Sequence, residues 1–122
     1  MATKINFNGE IHDKLSISVL DHGFLFGDSV YEVVCTFNNQ PCFLDKHLDR
    51  LFASAKAISL NIPHDNEWFL EQLKVTLGAA DNDESYIRII VTRGVGEINI
   101  DPSTCHSPNI IIIVMDIKEY SE

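Results

Sequence analysis

Two runs in the second half of the chain, residues 86–92 and 109–115, are almost continuously apolar and rich in β-branched side chains. Runs of that kind read as central strands of a sheet, and a sheet so placed needs a covering layer. The stretch upstream supplies one. From Asp45 the period changes: Leu48, Leu51, Phe52, Ala55 and Ile58 follow the three-and-four spacing of an amphipathic helix, with Asp45, Lys46, Asp49 and Lys56 on its other faces. Asn61-Ile62-Pro63 closes that helix. Asp65 is placed to cap a second one carrying Trp68, Leu70, Leu73 and Leu77, which Gly78 and the polar run 81–84 stop. Nearer the start, Asn8-Gly9 predicts a tight hairpin between residues 4–7 and 10–12. Residues 16–20 alternate and predict a third strand, 21–28 a turn or short helix, and 30–37 a strand that Asn38-Asn39-Gln40-Pro41 turns into Cys42-Phe43-Leu44. The order predicts an α+β fold, an antiparallel β-sheet packed against two α-helices.

The 122 residues suit one domain, and 45% hydrophobic with 22% charged residues is a globular composition. Nine basic against 18 acidic residues give a net charge of −9, which repels nucleic-acid backbones and anionic lipid. The longest apolar run, 110–115, is far below the ~20 residues that span a bilayer. Residues 1–4 contain no apolar signal segment, so the expectation is a soluble, cytoplasmic protein without nucleic-acid or membrane partners. Cys35, Cys42 and Cys105 have no CxxC spacing and are expected to be reduced structural thiols, two of them buried in strand-like runs; no metal site is expected.

Three arginines carry most of the chemistry on offer. Arg50, one turn into the first long helix beside His47, either pairs on the surface with Asp49 or Asp45 or points its fork of donors at a phosphate. Arg88 shares a sheet face with Tyr86 and Ile90, where a charge needs a partner or a wet cleft. A structural salt bridge and a bound carboxylate are both open to it. Arg93 opens the glycine-punctuated loop 93–102 and is expected to hold that loop together. Alternation puts Tyr31, Val33, Cys35 and Phe37 on one face of their strand and Val30, Glu32, Val34 and Thr36 on the other. No phosphate-cradling glycine motif, HExxH or hydrolase triad is legible.

Asp21-His22-Gly23-Phe24-Leu25-Phe26-Gly27-Asp28-Ser29-Val30-Tyr31-Glu32, then His47-Leu48-Asp49-Arg50-Leu51 with Ser54-Ala55, resembles the class IV aminotransferases, the fold-type-IV pyridoxal-phosphate enzymes. Tyr86-Ile87-Arg88, Val91-Thr92-Arg93-Gly94-Val95-Gly96 and Asp101-Pro102 extend the resemblance over nearly the whole chain. It implies the small N-terminal domain of such an enzyme at 1–118, with 119–122 opening a linker to a larger domain that carries the Schiff-base lysine. The lysines here, Lys4, Lys14, Lys46, Lys56, Lys74 and Lys118, match no such context, so the 122 residues alone are expected to be inactive and not to hold the cofactor.

The resemblance implies that Arg50 contacts the cofactor phosphate, that Tyr31 and Phe26 line the substrate side, and that Arg88 holds the distal carboxylate of glutamate or 2-oxoglutarate. It further implies a homodimer acting on small amino acids and 2-oxo acids. The D-specific branch traps the α-carboxylate with an arginine and a histidine where this chain has Ile98 and Ile100, which favours branched-chain L-amino acids. Phe26 in place of a tyrosine, and Val34 and Cys35 in place of a glycine and an arginine, depart from the branched-chain pattern, and Tyr31-Glu32-Val33-Val34 looks more like the D-specific one. An aminodeoxychorismate lyase, a D-amino-acid aminotransferase and a binding or assembly module that kept the fold are the alternative expectations.

Overall fold

The computed structural model describes residues 2–120. Asn8 and Gly9, both at positive φ, turn β1 (Lys4–Phe7) into β2 (Glu10–His12). A short helix α1 (His22–Phe26) precedes β3 (Ser29–Phe37), and a second positive-φ pair, Asn38 and Asn39, folds β3 onto the two-residue β4 (Gln40–Pro41). Glu84 holds that turn: its carboxylate accepts from Thr36 Oγ1 (2.6 Å) and from the amides of Asn38 (2.7 Å) and Asn39 (2.9 Å). Helices α2 (Leu44–Ala57) and α3 (Asn66–Ala80) follow, then β5 (Ser85–Thr92), β6 (Asn109–Asp116) and α4 (Ile117–Tyr120). The strands form one antiparallel sheet in the order β2-β1-β6-β5-β3-β4, so the two apolar runs are its centre and the α+β expectation holds.

Helices α2 and α3 cover one face of the sheet. Val30 and Val34 of β3, Ile87, Ile89 and Val91 of β5, and Ile110, Ile112 and Val114 of β6 pack with Leu48, Leu51 and Ala55 of α2 and Phe69 and Leu73 of α3. Asn6 of β1 ties the hairpin to α3. It is fully buried, donates to Gln72 Oε1 (2.9 Å) and Thr76 Oγ1 (3.1 Å), and accepts from the Gly9 amide (2.8 Å). Asn6→Ala strands these partners and is expected to destabilise the fold by roughly 2–3 kcal/mol. Denaturant unfolding followed through Trp68, the single tryptophan, measures it; a loss below about 0.5 kcal/mol would mean that the network is dispensable.

Several sequence expectations change. Residues 16–20 form no strand, because their alternation has no neighbour to pair with, and Ile17 and Val19 stay exposed. Residues 42–44 do not continue β4: Phe43 takes a positive φ of 55° and starts α2. The helix α2 ends at Ala57, before Ile58, which is exposed, and α3 runs through Gly78 to Ala80. Asp65 caps α3 as expected, accepting from the Trp68 amide (3.0 Å), but the face it buries carries Phe69, Leu73, Thr76 and Ala80, leaving Leu70 exposed. Cys35 is exposed, not buried, while Cys42 and Cys105 are half-buried; all three are free thiols. Of residues 119–122, the first two belong to α4 and the last two lie outside the described residues.

Candidate functional site

Strand β3 organises the site because its outer side is mostly open. Among the described residues β4 pairs only with Thr36 and Phe37, so β3 has β5 on one side from Ser29 to Cys35 and no strand on the other. Consecutive residues point to opposite faces, and two different clusters straddle this edge.

On the helix side stands Glu32, whose side chain is 5% exposed. Its Oε1 accepts from His47 Nδ1 (2.8 Å) and Arg50 Nη2 (2.8 Å), and its Oε2 accepts from Arg50 Nε (2.9 Å). His47 and Arg50 lie three residues apart on α2, so both reach the strand from one helix face. The Arg50 guanidinium, with a smaller contribution from His47, holds the Glu32 carboxyl below its ordinary value, against the opposing effect of burial; Glu32 in turn raises Arg50. The partner of Arg50 is therefore Glu32, not the Asp45 or Asp49 that helix spacing suggested. The Arg50 side chain remains 69% exposed, and its Nη1 takes no partner among the described residues. The arrangement orients a guanidinium and leaves one of its edges for an outside anion.

On the other face Arg88 lies among Tyr31, Val33, Ile90 and Ile113, which the strand register places beside it. Its Nη2 and Nε donate to Tyr86 Oη (2.9 and 3.3 Å), and its Cζ sits 5.0 Å from the centre of the Tyr31 ring. No carboxylate pairs with it among the described residues. A cation held against two tyrosines on a largely apolar face can accept a carboxylate from outside.

The third station is the end of the sheet. Asp21, fully buried, caps α1 through the Gly23 amide (2.7 Å) and accepts from Thr92 Oγ1 (2.9 Å) and Asn109 Nδ2 (2.7 Å). Arg93 grips Asp28 twice (2.9 and 3.1 Å) and donates to the carbonyls of Ile58 (2.7 Å) and Ser59 (2.9 Å), tying the loop to the end of α2. Gly94, at φ 97°, passes so close to the Ser107 carbonyl that a Cβ would meet it at 1.9 Å. Phe26 is 41% exposed, and Ile98 and Ile100 are 75% and 81% exposed.

Of the anticipated site residues, Tyr31 and Arg88 are in contact, Phe26 lies at the neighbouring end, and Arg50 stands across the strand. A hollow of about 750 Å³ lined by Phe52, Ala55, Lys56, Leu60 and Ile62 lies by α2, with none of these four residues in its wall. Sequence reasoning gave no role to Glu32, His47 or Tyr86. Glu32 had a signal, a carboxylate on the buried face of an alternating strand, which demands a cationic partner.

Residues 29–122 match the family model of amino-transferase class IV. A provisionally named branched-chain-amino-acid aminotransferase of Methanocaldococcus jannaschii is 38% identical over 114 residues, covering 92% of this chain and 40% of the relative. A D-alanine aminotransferase of Listeria monocytogenes is 38% identical over 80 residues, 66% of this chain and 28% of its own length. Among solved structures, the Escherichia coli branched-chain amino acid aminotransferase superposes with a TM-score of 0.87 at 22% identity, over 95% of this chain and 41% of that one. The 4-amino-4-deoxychorismate lyase of Pseudomonas aeruginosa does so at 0.76 and 26%, over 92% and 39%. The match thus spans 28% to 41% of the length of these longer relatives.

Proposed function

This chain belongs to the class IV aminotransferase family, and on that premise we propose that residues 1–118 form the small lobe of a pyridoxal-phosphate-dependent transaminase acting on branched-chain L-amino acids and 2-oxoglutarate. The observation that carries the reading is Arg88, a guanidinium that has no acidic partner among the described residues and is held by Tyr31 and Tyr86 beside an open strand edge. Arg50 fits the cofactor on its own donor set: Glu32 takes Nε and Nη2, and the exposed Nη1 suits a phosphate oxygen.

In this reading a lysine-bearing lobe packs against the β3 edge, joined through the segment beginning at 119. When bound, pyridoxal phosphate supplies the electron sink for moving the amino group. The chain's own residues bind and orient. Arg50, aimed by Glu32, anchors the phosphate end; Arg88 receives the distal carboxylate of glutamate; Tyr31, Phe26 and the neighbouring apolar side chains accept the side chain of leucine. Apolar Ile98 and Ile100 offer no partner to an α-carboxylate, which supports the L-specific branch. The 122 residues by themselves are inactive and hold no cofactor, while the two-lobed protein is a cytoplasmic homodimer.

Half-reactions of the two-lobed protein with L-leucine, L-glutamate, D-alanine and aminodeoxychorismate, followed by cofactor absorbance, test the substrate. Conversion by both L-amino acids and not by D-alanine is expected. Reaction with D-alanine alone, or release of pyruvate from aminodeoxychorismate, would move the chain to another branch, and no reaction at all would favour a binding module.

A further inference from the structure

Helix α1 and the segment 93–108 are clamped together. The His22 amide donates to Gly94 O (2.9 Å), the Gly96 amide donates to Leu20 O (3.1 Å), and Asp21 bridges Val95. Inside the clamp lies the His22 ring, with the residue 1% exposed. Its Nε2 is 2.8 Å from the carbonyl oxygen of Glu97. A carbonyl oxygen only accepts, so Nε2 carries a proton. Nδ1 is buried and has no partner among the described residues. The ring meets Phe26 edge-on, 4.9 Å between centres. Gly96 passes so close that a Cβ there would lie 2.8 Å from Nε2 and 2.6 Å from Cys105 Sγ.

A phenylalanine at 22 would fill this space without burying an unpaired nitrogen, so what the imidazole adds is its Nε2 donor. That donor reaches the residue before Ile98. The crest 97–101 is otherwise held by bonds within the segment 97–104. Glu97 N donates to Thr104 Oγ1 (3.1 Å), Asn99 N to Glu97 O (2.8 Å) and Asp101 N to Asn99 Oδ1 (3.0 Å), and Asp101 accepts from Ser103 N (2.9 Å). Ile98 and Ile100 are mostly exposed, and the His22 bond is the side-chain bond that ties Glu97 to α1.

We propose that His22 is a positioning residue, whose Nε2–H bond to Glu97 fixes the crest bearing Ile98 and Ile100 relative to Phe26 and so sets the apolar wall met by the substrate side chain. The second half rests on the transaminase reading above; the strut itself does not.

Two variants separate the donor from the ring. His22→Phe keeps the ring and loses the donor, and His22→Gln keeps an N–H at similar reach. In the unsubstituted chain, ring ¹⁵N shifts are expected to report an Nε2-protonated, Nδ1-bare imidazole; the opposite tautomer overturns the strut even if neither variant folds. His22→Phe is expected to speed amide exchange at Glu97 and Asn99 about tenfold while β5 and β6 keep theirs, with His22→Gln restoring it. Unchanged exchange overturns the strut whatever the enzyme's activity. In the two-lobed protein His22→Phe is expected to raise KM for L-leucine roughly threefold or more at nearly constant kcat, again restored by Gln. Faster exchange with an unchanged KM would overturn the role in substrate fit, and absence of any transamination would count against the transaminase reading while leaving the exchange result to decide the strut.

Discussion

Arg88→Ala in the two-lobed protein is expected to lower kcat/KM for L-glutamate by roughly 10- to 150-fold, the loss of a hydrogen bond to a charged group, about 1.5–3 kcal/mol. L-Leucine, which brings no distal carboxylate, is expected to stay within about threefold. The asymmetry follows from what surrounds Arg88. Tyr86 Oη accepts from Nη2 and Nε, the guanidinium carbon lies over the Tyr31 ring, and no carboxylate among the described residues neutralises the cation. Its removal leaves two tyrosines and an apolar face that still accept leucine. Equal losses for both amino acids would show that Arg88 supports the sheet instead of reading the substrate.

Glu32→Gln is the other large effect. The carboxylate accepts from Arg50 twice and from His47 once, and an amide offers only one acceptor oxygen to them. Pyridoxal phosphate affinity of the two-lobed protein is expected to fall about tenfold as Arg50 loses its fixed direction. Stability of the 122-residue chain at neutral pH is expected to fall by about 1–2 kcal/mol. The pH dependence has a definite sign. Folding lowers the Glu32 pKa below its ordinary 4.5, so its contribution is complete above the unfolded value and is lost as pH falls through the folded one. The difference between the parent chain and Glu32→Gln should therefore be largest near neutrality and shrink on acidification below 4.5. Glu84, also lowered, mainly by its hydrogen bond from Thr36, is the control. Glu84→Gln should weaken the 38–39 turn with the same pH sense and leave phosphate affinity unchanged. If Glu32→Gln also leaves it unchanged, Glu32 does not orient Arg50 for a ligand.

How much of this was legible depends on how far apart the interacting residues lie in sequence. The central strands declared themselves because β5 and β6 are apolar over nearly their whole length, and α2 because Leu48, Leu51 and Ala55 repeat at helical spacing. The strand expected at 16–20 failed because alternation marks a half-buried strand only where a neighbour exists to pair with it. The buried face of α3 carries Phe69 and Thr76 instead of the Leu70 that the sequence pattern put there, and the Thr76 hydroxyl is accommodated because it donates to Gln72 O (2.6 Å) and accepts from Asn6. At the site, strand alternation separated Tyr31 from Glu32 correctly, yet local spacing could only offer Arg50 its neighbours at 45 and 49. The residue that pairs with it comes from a strand 18 positions upstream. Arg93 was legible as the residue that holds its loop, but its partner Asp28, 65 positions upstream, was not.

The most direct test is a crystal structure of the two-lobed protein with pyridoxal phosphate and glutamate bound. The account predicts a phosphate oxygen within about 3 Å of Arg50, which keeps its grip on Glu32, and a glutamate carboxylate on Arg88 across the β3 edge. A phosphate held elsewhere while Arg50 faces bulk water, with no part of the ligand near Tyr31, would contradict it.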